Sequence, residues 1–394
     1  MNFIVWAIDD FNAMALMRQL GQHKDANILF LIIGSKRYAY KSKYCTNFIE
    51  TKNLDDGFNY LKEHYTSESE KPILFTSGDN VMVYLDSHRE EIEKHIFLPG
   101  CIKKGDTEYF TDKYNMWSVA KKVGMNVPGC ILVSKKDANS LSNINYPCLI
   151  KPSHETPGFY NEFKFKMCKN EKKLKRTLKY VRESSSFVVQ DFVKCENQLL
   201  VYGCRTPQKE AVICGSMLVD RYSETGSSSH GIIKSDLFGL IDKKLIEAFL
   251  NEIDYVGLFS FEFGVKDNKA YFFEINLRND GTSNLFFQSG ANIPLYLAYS
   301  FVGKDCSELN IKSNSGEAID DLFDYENVIK RRISKKQWKR DLDNSSYFKY
   351  FDKGDLEPYF IAKKCSKKQM VKDILLKKYR LFIVYWFSKL GLKK

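Results

Sequence analysis

The sequence has no C-x-x-C pair and no His/Cys cluster at zinc-ligand spacing, although it contains ten cysteines. Their single, scattered placement argues against a zinc module or a paired redox motif and fits reduced, mostly buried thiols in a cytosolic chain. No apolar run reaches the roughly 18 positions a helix needs to cross a bilayer. The start, MNFIVWAIDD, lacks the basic segment and small-residue cleavage site of a secretory leader. A cytoplasmic location is expected. After the first apolar run the chain reads DDFNAMA rather than G-x-G-x-x-G, which argues against a dinucleotide site of the Rossmann type. Internal repeats are also absent.

What is present is ample core material. Hydrophobic residues make up 44% of the 394, with 29 Phe and 23 Tyr, enough for two or three domains. The net charge of +11 is unevenly placed, because residues 361–394 hold eleven Lys/Arg against one Asp, a net of +10. Charge concentrated at one end is unlike the basic folded face of a nucleic-acid binder, and no nucleic-acid partner is expected.

The N-terminal part alternates apolar runs with helical periodicity. FIVWAI (3–8), NILFLIIG (27–34) and KPILFTSGDN (71–80) read as strands, and FNAMALMRQLGQ (11–22) reads as a helix. That order, with continuously apolar strands, predicts a parallel sheet covered on both faces. The segment DKYNMWSVAKKVGMNVPGC (112–130) reads as an amphipathic helix closed by Gly124 and the Pro128-Gly129 turn. YPCLIKPS (146–153), EFKFKMC (162–168) and SFVVQDFVK (186–194) read as strands, with a basic-faced helix over 171–184. QLLVYGCR and EAVICGSMLVDRY form a hairpin pair. A helix over 242–255 precedes two strands joined by KDNK, and SELNIKSNSGEAIDD beyond about 305 reads as polar loop. The fold class is thus α/β followed by α+β.

The two strands joined by KDNK, in FSFEFGVKDNKAYFFEINLRNDG (259–281), carry Glu262 and Glu274 among apolar and aromatic residues. Carboxylates in such strands are costly unless a cation pairs with them. A short turn lets Glu262 and Glu274 face one another, and alternation puts Asn276 and Arg278 on the same face. Two carboxylates and an amide oxygen are hard ligands suited to Mg²⁺, and an arginine fork suits a phosphate. A purely structural Glu–Arg network at a sheet edge accounts for the same residues, and both readings stand at this point.

The order of segments over roughly residues 1–300 resembles the ATP-grasp superfamily. FEFGVKDNKAYFFEINLRNDG is similar to its metal-binding end, a strand Glu followed by E-x-N-x-R, and 112–130 is similar to the helix that enters the fold. The wording GLFSFEF…FFEINLR, with ANIP after it, looks most like carboxylate–amine ligases of the D-aspartate ligase type. The resemblance implies a Rossmann-like domain over 1–110 and an ATP-grasp domain over 111–304, with a small lobe about 130–190 and a large lobe about 191–304. A C-terminal extension over 305–394 ends in a helical basic segment. It also implies ATP with Mg²⁺ or Mn²⁺, an acyl-phosphate intermediate and attack by an amine. By the same likeness, Lys113 and Lys151 contact the nucleotide, Gln190 and Asp191 lie at the adenine edge, Phe192 and Val193 offer backbone contacts, and Glu196 meets the ribose. Glu262, Glu274 and Asn276 hold the metal, and Arg278 and Arg221 face phosphate or acyl phosphate. His230, in GSSSHG, stays outside this set. Two alternatives remain: a non-catalytic nucleotide-binding scaffold, and an acyl-phosphate ligase with a non-amine acceptor. The loop PSHETPGFYNEF departs from the family by having a single glycine, where many members carry a glycine-rich phosphate cover.

The last segment, KDILLKKYRLFIVYWFSKLGLKK (372–394), mixes cations with seven consecutive apolar residues, Leu381 to Phe387. That pattern suits a helix lying on an anionic membrane surface, and equally a terminal helix packed on the protein. The first reading makes the protein peripheral at the inner membrane face and favours a cell-envelope or glycan-linked substrate.

Overall fold

The computed structural model describes residues 1–139, 141, 143–154, 163–181, 185–223 and 226–368. The first sheet is parallel and contains Asn2–Ala7 (β1), Asn27–Ile33 (β2), Asn47–Thr51 (β3) and Ile73–Thr76 (β4), in the order β3-β2-β1-β4. Its strands are apolar on both faces: Phe3, Val5 and Phe30 enter one core, while Ile4, Trp6 and Leu31 enter another. β3 escaped the sequence reading because NFIET is a short edge strand with polar ends, recruited by pairing with β2. Helix Phe11–Leu20 starts where the Asp10 carboxylate accepts the amides of Asn12 (2.9 Å) and Ala13 (3.2 Å). The connection reverses between β1 and β4, so a crevice opens beyond their carboxyl ends, at Asp9–Asp10 and Gly78–Asp79.

After the two-residue strand Gly100–Cys101 (β5), a small antiparallel sheet contains Cys130–Ser134 (β6), Cys148–Pro152 (β7), Lys166–Cys168 (β8) and Ser186–Asp191 (β9), ordered β6-β9-β7-β8. Helix Glu171–Lys179 covers one face of it through Leu174 and Leu178.

The largest sheet has eight strands: β5, Asn197–Arg205 (β10), Ala211–Tyr222 (β11), Ser228–Lys234 (β12), Tyr255–Lys266 (β13), Lys269–Asn276 (β14), Gly316–Ile319 (β15) and Tyr347–Phe348 (β16). Its order is β14-β13-β10-β11-β12-β15-β16, with β5 beside β13. The stretch expected to be loop beyond 305 therefore contributes a strand, because β12 offers Ile232 and Ile233 as pairing partners to Glu317 and Gly316. One core unites Phe3 and Val5 of the first sheet, Tyr202 and Met217 of the large sheet, and Tyr350, Tyr359 and Ala362 near the C-terminal end of the described chain. The basic segment 372–394 lies outside the described residues.

Candidate active site

The site is built where β13 turns into β14. Asp267 and Asn268 both take positive φ, 50° and 56°, which makes the turn tight enough for direct pairing of the two strands. The register sets Glu262 opposite Glu274 and Ser260 opposite Asn276, and a shift follows directly after Glu262. Four side chains then form a hydrogen-bonded row. Asn276 Nδ2 donates to Glu262 Oε1 at 3.1 Å, and Arg278 Nη2 donates to Asn276 Oδ1 at 3.1 Å. Arg278 also grips Asp79 with two bonds, Nε to Oδ1 at 2.7 Å and Nη2 to Oδ2 at 3.0 Å.

Two carboxylates facing one another with little water between them oppose ionisation. Loss of water pushes the Glu262 carboxyl up to about 8; Glu274 and then Asp280 add to the shift, while Asn276 and Arg278 resist it. Burial works against the Arg278 cation, but Asp79 more than offsets it, and the guanidinium is held above its ordinary range. Among the described residues no group of three or more His, Cys, Asp or Glu gathers at metal-holding distance. Glu262 and Glu274 nevertheless form a hard-oxygen pair of the kind that binds Mg²⁺ together with water and phosphate oxygens, and the Asn276 amide oxygen, one lone pair of which is taken by Arg278, has a second left to join them. A divalent cation between the two carboxylates would relieve the strain that raises Glu262. The donor set fits the metal.

Lys151, on β7, is brought to the same locality. Burial lowers its ammonium; Glu274 raises it, Lys113 lowers it further, and Glu262 adds a smaller raise. Its Nζ donates to Gln190 Oε1 at 3.2 Å and lies 5.9 Å from the Phe273 ring centroid. Gln190, expected at the adenine edge, thus has its side-chain oxygen turned to Lys151. Lys113 opens helix Lys113–Lys122, and its backbone amide donates to the Ser153 carbonyl at 2.8 Å, tying that helix to the end of β7. Asp112 caps the helix by accepting the Tyr114 and Asn115 amides, and its second oxygen accepts the Ser153 hydroxyl.

In the hinge after β9, the Asp191 amide donates to the Gly129 carbonyl (2.8 Å) and the Phe192 amide to the Pro147 carbonyl (3.2 Å). A Cβ at Gly129 would collide with the Asp191 carboxylate, so the Pro-Gly turn has a packing reason as well as a helix-ending one. The Val193 carbonyl accepts the Cys195 thiol, and the exposed Glu196 donates its amide to Val265 at 2.9 Å, joining the hinge to β13.

Arg221 sits differently. Its Nε and Nη2 hold Asp324 (3.2 and 3.0 Å) and its Nη1 holds Asp341 (2.8 Å), pinning helix Lys335–Asn344 to β11. To meet a phosphate it would have to exchange one of these carboxylates. His230 belongs to β12 rather than to a loop, and its Nδ1 lies 2.8 Å from Asp220 Oδ1. Sequence reasoning missed Asp79, which opens helix Asp79–Ser87; its only signal was the Gly-Asp pair after the third apolar run. It also missed Tyr222, whose buried hydroxyl has no partner among the described residues.

No family model matches the chain. It is similar to D-aspartate ligase from Enterococcus faecium (strain Aus0004), 22% identical over 268 residues, which cover 64% of this chain and 62% of that protein. It is also similar to formate-dependent phosphoribosylglycinamide formyltransferase from Sulfurisphaera tokodaii, 26% identical over 148 residues, or 36% of this chain and 37% of that protein. The chain thus matches less than two thirds of the length of either relative. Among solved structures, N5-carboxyaminoimidazole synthetase from Staphylococcus aureus, complexed with ADP, aligns with a TM-score of 0.63 at 15% identity, covering 84% of this chain and 86% of that one. L-amino acid ligase from Bacillus licheniformis aligns with a TM-score of 0.59 at 11% identity, covering 80% and 78%. The fold is the ATP-grasp fold. In sequence the chain resembles carboxylate–amine ligases of the D-aspartate ligase type.

Proposed function

We propose that the protein is an ATP- and Mg²⁺-dependent ligase that joins a carboxylate to an amine. The observation that carries this reading is the row Glu262–Asn276–Arg278 opposite Glu274, with Lys151 close enough to be tuned by both glutamates. The similarity to D-aspartate ligase and the shared fold support it. In the first step a substrate carboxylate oxygen attacks the γ-phosphorus of ATP, the bond to the β–γ bridging oxygen breaks, and ADP leaves. In the second, an amine nitrogen attacks the acyl carbon of the resulting acyl phosphate, the carbon–oxygen bond to phosphate breaks, and the amine gives up a proton.

Charge accumulates on the phosphoryl group during its transfer, and positioned cations supply most of the catalysis. Lys151, held by Gln190, binds nucleotide phosphates, and Arg278 offers its charge and its one unengaged Nη1 hydrogen to the transferring group. Glu262, Glu274 and Asn276 would hold Mg²⁺, which supplies Lewis-acid charge to the phosphate oxygens. Isothermal calorimetry tests the binding half of the proposal: ADP is expected to bind in the presence of Mg²⁺ and to lose affinity when EDTA replaces it. Absence of nucleotide binding under both conditions would sink the reading.

A peripheral contact with anionic membranes through 372–394 completes the proposal and makes an envelope- or glycan-linked substrate reasonable. The helix over 356–368 supports it, since Leu356 (38% exposed) and Phe360 (59% exposed) share a face with the exposed Lys364, Lys367 and Lys368. Among the described residues no helix is long and apolar enough to cross a membrane. Co-sedimentation with phosphatidylglycerol vesicles is expected to fall on deletion of 372–394, and unchanged sedimentation would refute the contact.

A further inference from the structure

We propose that Asp79, contributed by the N-terminal sheet, is a positioning residue of this site: it fixes the Arg278 fork and, through it, the Asn276 amide against Glu262. The inference rests on the ligase reading for its kinetic arm only.

A guanidinium carries five N–H donors. In Arg278 four are engaged: Nε and one Nη2 hydrogen by Asp79, the other Nη2 hydrogen by Asn276 Oδ1, and one Nη1 hydrogen by the Asn279 carbonyl at 3.1 Å. One Nη1 hydrogen is left for a ligand. The two bonds to Asp79 lie along one edge of a planar group and so fix its rotation, which a single bond would not. With that edge fixed, the remaining Nη2 hydrogen meets Asn276 Oδ1, which leaves the Asn276 NH₂ to donate to Glu262. The orientation of Asn276 and Arg278, on β14 and its exit, and of Glu262 on β13 thus traces to an aspartate 199 positions earlier than the arginine it holds.

The Asp79 side chain is 40% exposed and that of Arg278 17%, so the carboxylate contributes some stability as the counter-ion of a largely buried cation. It is not what holds the strand. The backbone beside Arg278 is anchored without Asp79. The Asn279 amide donates to the Thr76 carbonyl at 3.2 Å, Asn12 Nδ2 donates to the Asn279 carbonyl at 3.3 Å, and the Tyr202 hydroxyl donates to Asn279 Oδ1 at 2.7 Å. Removing the Asp79 carboxylate should therefore leave the fold and the strand in place and free only the fork. Asp79 lies at the reversal point of the parallel sheet, so the N-terminal domain takes part in the chemistry by aiming an arginine of its neighbour.

The test compares Asp79→Ala and Asp79→Asn with wild type by two independent readouts. The first is the rate of phenylglyoxal modification of Arg278, followed by peptide mass spectrometry on protein without substrates. Modification should be several-fold faster in Asp79→Ala and intermediate in Asp79→Asn, where one oxygen acceptor survives. The second is steady-state kinetics: kcat should fall about 10- to 100-fold in Asp79→Ala, the cost of slight misplacement of a reacting group, while the KM for ATP stays within about threefold. Thermal midpoints well above the assay temperature show that the labelling reads the folded protein. Arg278 labelling at the wild-type rate in both variants overturns the proposal, and so does faster labelling with unchanged kcat. If wild type itself turns over no substrate, the ligase reading fails, and the labelling still decides whether Asp79 fixes Arg278.

Discussion

Arg18 of the first helix and Asp355, near the C-terminal end of the described chain, form an ion pair with almost no exposure to water, Nε to Oδ2 at 3.0 Å. Arg18 also donates to the Tyr350 and Asp355 carbonyls at 2.9 Å each, and Asp355 accepts from the Ser42 hydroxyl (2.8 Å) and the Lys43 amide (2.9 Å). The segment around 350 is thereby locked to the N-terminal sheet. Asp355→Ala leaves a buried guanidinium without its counter-ion, and the expected loss is about 3–5 kcal/mol of stability. Urea unfolding followed by tryptophan fluorescence measures it, and a loss below about 1 kcal/mol would mean that the pair is dispensable.

Lys151 should matter for affinity rather than for folding. Its ammonium is buried against Gln190 and already destabilised by loss of water, so a phosphate supplies the anionic partner it lacks. A hydrogen bond to a charged group contributes about 1.5–3 kcal/mol, so Lys151→Ala should weaken ADP binding roughly 10- to 100-fold. Calorimetry reads the change directly, and an unaltered dissociation constant would remove Lys151 from the nucleotide site.

Asp321 gives the protein a pH-dependent stability that does not involve the metal end. Burial, with Asp320 beside it, pushes its carboxyl up to about 7, although Oδ1 accepts the Tyr350 amide at 2.9 Å. Between an unfolded value of about 4 and that folded value, the folded protein keeps a proton the unfolded chain has released. Stability from this group therefore falls as pH rises through the window and reaches its minimum above it. Asp321→Asn cannot ionise and keeps the amide acceptor, so its thermal midpoint should exceed that of wild type at pH 8 and approach it at pH 5. Parallel curves across that range would contradict the assignment.

The sequence made the site's local part readable and left its tertiary part hidden. Glu262, Glu274 and Asn276 lie on two strands joined by one short turn, with Arg278 two residues past the second, so alternation alone could align them, and the register sets Glu262 opposite Glu274. Asp79 could not be read the same way, since its contact joins a helix that follows the N-terminal sheet to a residue beyond β14, 199 positions later. Likewise, nothing local in EAVICGSMLVDRY reveals that Arg221 is bound by Asp324 and Asp341 from later in the chain. The parallel sheet was legible because β1, β2 and β4 are continuously apolar. β3 and β15 were not, because NFIET and GEAI carry too few apolar residues to mark a strand until neighbouring edges pair with them.

The most direct measurement is phosphate release by the purified full chain with ATP and Mg²⁺ across a matrix of amino acids and sugar acids, each with and without candidate amines. The expected result is release that requires one carboxylate, yields ADP in equal amount, stops when EDTA replaces Mg²⁺ and is lost in Glu274→Ala. Release that is indifferent to the carboxylate, or that survives Glu274→Ala unchanged, would contradict a ligase built on Glu262 and Glu274.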